Sequence, residues 1–211
     1  MTEETLKELL AFVQDRFKDD SSGHDVNHTL RVYRMALHLQ SEEGGDKEII
    51  TLASLLHDAD DHKLFDPKEK TAEKWLVSHG FPSETVQKVL QIISEVSFKG
   101  KDSAVPSSLE GKIVQDADRL DAIGALGIAR AFEYGGKHNR KDYDPEEKPL
   151  LNMDEETYRN HVGTTINHFY EKLLLLQEMM NTEEARRLAN QRTIFMKEFL
   201  DEFKTEWEGK R

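Results

Sequence analysis

Along most of the chain apolar residues recur at alternating three- and four-residue steps, the period of a helix with one face turned to a core. Leu6, Leu9, Leu10, Val13 and Phe17 predict a first helix from Thr2 to about Phe17, broken by Asp19-Asp-Ser-Ser-Gly23. A second, from about Asp25 to Glu43, carries Leu30, Val32, Tyr33, Ala36, Leu37 and Leu39 and stops at Gly44-Gly45. Asp46 is placed to cap a third, Glu48 to Asp58, in which Ile49, Ile50, Leu52, Ala53, Leu55 and Leu56 leave little polar face. That pattern predicts a core helix rather than a surface one.

Further along, Asp66-Pro67-Lys68-Glu69 combines a capping carboxylate, a first-turn proline and an early Glu, and predicts a helix ending near His79-Gly80. Pro82 to about Val96 forms the next, and Ser107-Ser-Leu-Glu110 is a capping box that opens the run holding Asp116, Asp118 and Asp121. Gly135-Gly136 to about Met153 is polar and turn-rich, which makes it the longest loop and a candidate lid. Val162, Ile166, Phe169, Leu173, Leu176 and Met180, then Ala185, Leu188, Phe195, Phe199 and Phe203, predict two long helices. Asn181-Thr182 between them makes an antiparallel hairpin, packed on the body or on another subunit. Strand signals are nearly absent, and no repeat, low-complexity segment or linker interrupts the chain. The expected fold is all-α, one helical bundle domain over residues 1–211 ending in that hairpin.

His57 and Asp58 stand side by side at the end of the most apolar helix. Burying an imidazole and a carboxylate there is costly unless a partner satisfies them, and a divalent metal does so directly. His28, early in its helix, and Asp118, embedded in an apolar helix, are the other candidates to meet the pair. Asp118 and Asp121 share a helix face, where like charges repel unless a cation, either Arg119 or a metal, stands close. Taken singly, each of these residues reads as a helix cap, a core histidine or a surface acid.

Composition narrows the partners. The formal charge is -12, which argues against loose binding to nucleic-acid phosphates, though a metal and a few local cations can still draw a small phosphorylated substrate into one cleft. Without cysteine there is neither a disulfide nor a thiolate site, so any metal is held by nitrogen and oxygen. No apolar run approaches the roughly 18 residues of a membrane helix, and the acidic N-terminus lacks a secretory pattern; a cytoplasmic location with no membrane partner is the expectation.

His28, His57-Asp58 and Asp118, in that order on successive helices, resemble the H…HD…D signature of the HD-domain metal-dependent phosphohydrolases. The segments His24-Asp-x-x-His28-x-x-Arg31-Val32, His57-Asp58 with Asp61, Lys63 and Phe65, Ser97-Phe-Lys-Gly100, and Asp116-Ala-Asp118-Arg-Leu-Asp121-Ala-Ile-Gly124 resemble one bacterial branch of that family. So do Glu171-Lys-Leu-Leu and Phe195-Met-x-x-Phe199-Leu, so the likeness runs from about His24 to the C-terminus. Val26 departs from the aromatic residue that many members carry, and Lys63 is one residue out of register.

The resemblance implies an HD-domain helical bundle in which His28, His57, Asp58 and Asp118 hold one divalent metal. Family precedent favours Mn²⁺, with Fe²⁺, Co²⁺, Ni²⁺ or Mg²⁺ also suited to two nitrogens, two oxygens and water. Such a metal acidifies a bound water and polarises a phosphoryl oxygen. Asp61 is the candidate catalytic residue, orienting or deprotonating that water, against a plain reading as a helix-end acid. Lys63, Lys99 and Arg31 are candidate substrate contacts, the lysines read equally as surface residues and Arg31 as a partner of Asp25 or Asp121. Asp121 supports the metal ligands rather than ligating. Other branches of the family hold two metals, and the spare histidines here, His79 and His168, do not stand in that pattern. The implied reaction is hydrolysis of a (deoxy)nucleoside triphosphate to monophosphate and pyrophosphate. The alternatives are a nucleoside monophosphate phosphatase or phosphodiesterase with the same metal site, a non-catalytic nucleotide sensor and a plain helical interaction protein. A homodimer through the apolar hairpin is compatible with all of them.

Overall fold

The computed structural model describes residues 1–18, 25–61, 65–96 and 104–210, and among them the regular structure is helical with no strand. No described helix is long and apolar enough to cross a membrane. The helices group into two compact units, the first extending to Asp118 and the second beginning at Arg119.

In the first unit, α1 (Glu3–Arg16) starts where the Thr2 hydroxyl accepts the Thr5 N–H, and it buries Leu9 and Val13, with Phe17 one turn on. α2 (Val26–Glu43) is capped by Asp25, whose carboxylate accepts the His28 N–H at 2.8 Å, and Gly44 ends it at φ 84°. The buried stripe of α2 runs His28, Val32, Ala36, Leu39, so the histidine occupies a core position on the first turn. α3 (Lys47–Leu56) is capped by Asp46 as expected, every residue from Ile49 to Leu56 is buried, and it packs against α1, α2 and α5. His57 is its last cap residue rather than a further helical position.

The start signal at Asp66 opens a separate 3₁₀ turn, Pro67–Glu69, and α4 (Thr71–Ser78) begins only after Lys70 has adopted a left-handed conformation. Its first amides are capped from a distance: the Asp60 carboxylate accepts the N–H groups of Thr71 (2.6 Å) and Ala72 (3.0 Å). α5 (Ser83–Val96) matches the sequence reading. α6 (Leu109–Asp121) is capped one residue later than the pattern indicated, by the Ser108 hydroxyl, because Glu110 is engaged with the Asp46 N–H and Ser107 with Glu95. Gln115 is fully buried in α6 and donates to the carbonyls of Glu95 and Ala104, joining the end of α5 to the segment that leads into α6.

The second unit opens at the tight start of α7 (Gly124–Lys137). Gly124 has φ 77°, a left-handed conformation that favours glycine, and a Cβ there would lie 3.0 Å from the Arg192 side chain, which would have to give way. α7 runs through Gly135-Gly136, and the loop that follows is tied down: Lys141 and Asp142 carbonyls accept from Thr165 and Ile166, Glu147 accepts from Thr164 and Asn167, and Leu150 donates to Glu171. After the short α8 (Glu155–Asn160), the first arm of the hairpin differs from the sequence expectation. It is α9 (Thr165–Glu171) followed by a 3₁₀ segment, Leu173–Met179, with Val162 exposed outside both. The Leu173–Leu176 step of three residues suits the three-per-turn 3₁₀ geometry, which the shared three- and four-residue pattern could not distinguish. The second arm, α10 (Glu183–Trp207), is one long helix, but its buried stripe is Ala185, Ala189, Thr193, Met196 and Leu200. Phe195 is exposed instead. Phe132 of α7, Phe169 of α9, and Phe199 and Phe203 of α10 form an aromatic core with ring centres 6.0–6.3 Å apart.

Candidate metal centre

Three elements of the first unit bring the sequence-predicted quartet to one corner. The His28 Nε2 lies 3.5 Å from Asp58 Oδ2 and 3.4 Å from Asp118 Oδ1. The His57 Nε2 lies 3.2 Å from Asp58 Oδ2 and 3.9 Å from Asp118 Oδ1. The imidazoles meet edge to face, with ring centres 5.4 Å apart. His28, His57 and Asp58 are buried, while 27% of the Asp118 side chain is exposed, so the corner meets solvent at Asp118.

The donor set fits a single divalent cation. Ligand atoms bonded at about 2.1 Å to an octahedral ion lie about 3.0 Å apart when adjacent and about 4.2 Å when opposite, and the four nitrogen–oxygen distances fall between those limits. Among the described residues the cluster able to hold a metal is His28, His57 and Asp58, with Asp118 beside it. The His57 Nε2 is buried and makes no hydrogen bond, while its Nδ1 lies 2.9 Å from the Ser54 carbonyl oxygen. Burial alone pushes this imidazole down, yet the neighbouring carboxylates of Asp58 and Asp118 and the Ser54 carbonyl together raise it from 6.5 to about 9. Two carboxylates in a buried corner demand positive charge, and a proton on His57 or a divalent cation answers the same demand.

Asp61 sits one tight turn past Asp58, and is half-buried. α3 does not continue to it as the sequence reading allowed; its N–H donates to the Asp58 carbonyl at 3.1 Å. Arg31 is half-buried on α2, three residues after His28. Lys63 and Lys99, with His24 and the Ser97-Phe-Lys-Gly100 motif, lie outside the described residues.

A cation that the sequence reading did not name stands beside Asp121. Arg130 of α7 bonds the Asp121 carboxylate at 2.6 Å, and Arg119 donates to the Met179 carbonyl. The spare histidines are placed elsewhere. His79 stacks on Trp75 with its Nδ1 2.7 Å from the Trp75 carbonyl oxygen, and His168 belongs to α9 in the second unit. Sequence reasoning missed Ser54, whose carbonyl orients His57. The signal was available, since the last carbonyls of a helix lack intrahelical partners and a histidine at the cap reaches one three residues back. Asp60 and Gln115 carried no such signal, because their partners are 11 or more residues away.

The HD domain family matches residues 25–123, the stretch containing all four corner residues. The uncharacterized protein YpgQ of Bacillus subtilis is 38% identical over 208 residues, covering 96% of this chain and 94% of the relative. A crystal structure of an HD-superfamily hydrolase from Bacillus thuringiensis superimposes with a TM-score of 0.77 at 40% identity over 98% of each chain. The crystal structure of Bacillus subtilis YpgQ in complex with ADP gives 0.76 at 35% identity, over 95% of this chain and 97% of that one. A crystal structure from Lactobacillus plantarum reaches 0.88 at 40% identity over 99% of both.

Proposed function

The chain belongs to the HD-domain family of metal-dependent phosphohydrolases, and from that premise we propose that it cleaves (deoxy)nucleoside triphosphates to monophosphate and pyrophosphate. The observation that carries the proposal is the corner itself: the Nε2 atoms of His28 and His57 each lie 3.2–3.9 Å from Asp58 Oδ2 and Asp118 Oδ1, a ligand set proposed for one divalent cation, with Mn²⁺ favoured on family precedent. That YpgQ, similar over nearly the whole chain, has been crystallised with ADP supports a nucleotide as the ligand class. The proposal takes residues 1–211 as one functional domain.

When bound, the cation supplies Lewis acidity toward a phosphoryl oxygen and lowers the pKa of water. The chain's own residues do the rest. The Asp61 carboxylate, one turn past Asp58, accepts a proton from the attacking water as its oxygen bonds to the α-phosphorus. The bond to the bridging oxygen breaks, and pyrophosphate leaves with the electron pair. Arg31, on the His28 side of α2, and Lys63 and Lys99 are the proposed contacts to phosphate oxygens.

Incubation with Mn²⁺ and a nucleotide panel, with product identification, tests this reading against a His57→Ala control. Pyrophosphate plus monophosphate is the expected product pair. Orthophosphate would assign a phosphatase, and saturable binding without turnover a sensor.

A further inference from the structure

The turn that carries the candidate ligands is held from behind by the last residue of α1. Past Leu56 the chain closes only short turns, Ala59 N–H to Leu56 O at 3.0 Å and Asp61 N–H to Asp58 O at 3.1 Å, which by themselves define the backbone weakly. Arg16, with 19% of its side chain exposed, sends one terminal nitrogen to both the Ala59 carbonyl (3.2 Å) and the Glu69 carboxylate (2.7 Å). Its guanidinium carbon stands 3.5 Å over the centre of the Phe65 ring, which in turn packs edge-on against Phe17 at 5.7 Å. The Phe65 N–H donates to the Asp61 carbonyl at 2.9 Å, and the Asp60 carboxylate is spent on the first amides of α4. Residues 59, 60 and 61 are therefore fastened to three different anchors, Arg16, the first amides of α4 and Phe65, and Arg16, itself one of them, also covers Phe65.

We propose that Arg16 is a positioning residue for the metal corner: by holding the Ala59 carbonyl and covering Phe65, it fixes the turn that aims Asp58 and Asp61. Arg16 acts through that turn and contacts none of the four corner residues' ligand atoms among its hydrogen bonds. A largely covered arginine forfeits hydration, and a merely cohesive role between α1 and the segment before α4 would be served by the Glu69 ion pair alone. The second bond, to the residue that follows Asp58, is what the positioning role explains. This inference rests on the proposed function.

The test uses the full chain with two substitutions. Arg16→Met keeps a stem over Phe65 and removes the donors; Glu69→Gln removes the ion-pair charge and leaves the Ala59 bond. Calorimetric titration with Mn²⁺, NMR of the His57 ring in the metal-free protein, and kcat and KM with the preferred nucleotide are the readouts. In Arg16→Met, Mn²⁺ affinity is expected to fall about tenfold or more, the His57 ring signals to shift, and kcat to fall about tenfold or more with KM within about threefold. Glu69→Gln is expected to match the wild type in all three. Wild-type affinity and unshifted His57 signals in Arg16→Met overturn the proposal, as does Glu69→Gln reproducing its losses. Should circular dichroism show Arg16→Met unfolded, Arg16→Gln, too short to reach Ala59, replaces it with the same expectations. A wild-type protein that binds Mn²⁺ without nucleotide turnover defeats the substrate assignment alone and leaves the affinity readout of Arg16 standing; one that binds no divalent cation defeats the metal reading, and the His57 signals still decide the role of Arg16.

Discussion

The Ser54 carbonyl selects the working face of His57. A carbonyl oxygen only accepts, so the 2.9 Å contact puts a hydrogen on Nδ1, and Nε2 turns to Asp58 at 3.2 Å. The bond also locks the ring plane, because Ser54 lies in the last turn of α3, where every side chain is packed. The ligand atom is thereby presented by the backbone of the most buried helix in the first unit.

Replacing His57 by alanine is expected to remove metal and turnover together while leaving the helices intact. The affinity loss should exceed the 10- to 100-fold typical of altering a residue that merely supports a ligand. Metal content after purification, circular dichroism and the nucleotide assay check it, and unchanged activity would defeat the catalytic assignment.

Metal uptake is expected to release a proton. With His57 raised to about 9 in the metal-free protein, its Nε2 carries a proton at pH 7 to 8 that the cation displaces. Apparent affinity therefore rises with pH and levels off above about 9. The same shift sets the sign for the metal-free protein's stability. The contribution of charged His57 is fully present below 6.5 and is lost as the pH climbs through about 9. Titration calorimetry in buffers of different ionisation enthalpy, and melting curves in chelator, measure the two effects.

Asp61→Asn separates chemistry from metal binding. The amide keeps the size but cannot accept the water's proton, so kcat is expected to fall by about 10²–10⁴. Mn²⁺ affinity should stay within about threefold of the wild type, since Asp61 lies outside the quartet. A loss of affinity as large as that of His57→Ala would recast Asp61 as a ligand.

His168 is expected to contribute to acid sensitivity in the second unit. Burial first, then the positive charges of Lys172, Arg140 and His161, lower its pKa from 6.5 to about 3, so it stays neutral in the folded state. Unfolding lets it charge, and stability is lost as the pH falls from 6.5 toward 3. His168→Gln is expected to flatten the acid limb by up to about 1.4 kcal/mol per pH unit, read from urea denaturation between pH 7 and 4. Identical slopes in the two proteins would remove His168 as the cause.

The helical class, the helix starts near Thr2 and Asp25, the cap at Asp46, the burial of α3 and the order of the four corner residues were legible in the chain, because each depends on neighbours within about four positions. The interrupted first arm of the hairpin was not, since α and 3₁₀ geometry share an apolar three-residue step and only packing around Leu173 and Leu176 separates them. Nor was the choice of Arg130 as the cation beside Asp121, or of Asp60 as the cap of α4, because charge and hydrogen-bond complementarity between residues distant in sequence is a product of folding. What the sequence determined by itself is a set of local periods and the side chains able to bind a cation. Tertiary structure decided that the nitrogens and oxygens of three separate elements come within 4 Å of each other, and which carbonyl turns His57 toward them, since only packing can bring distant ligand atoms that close.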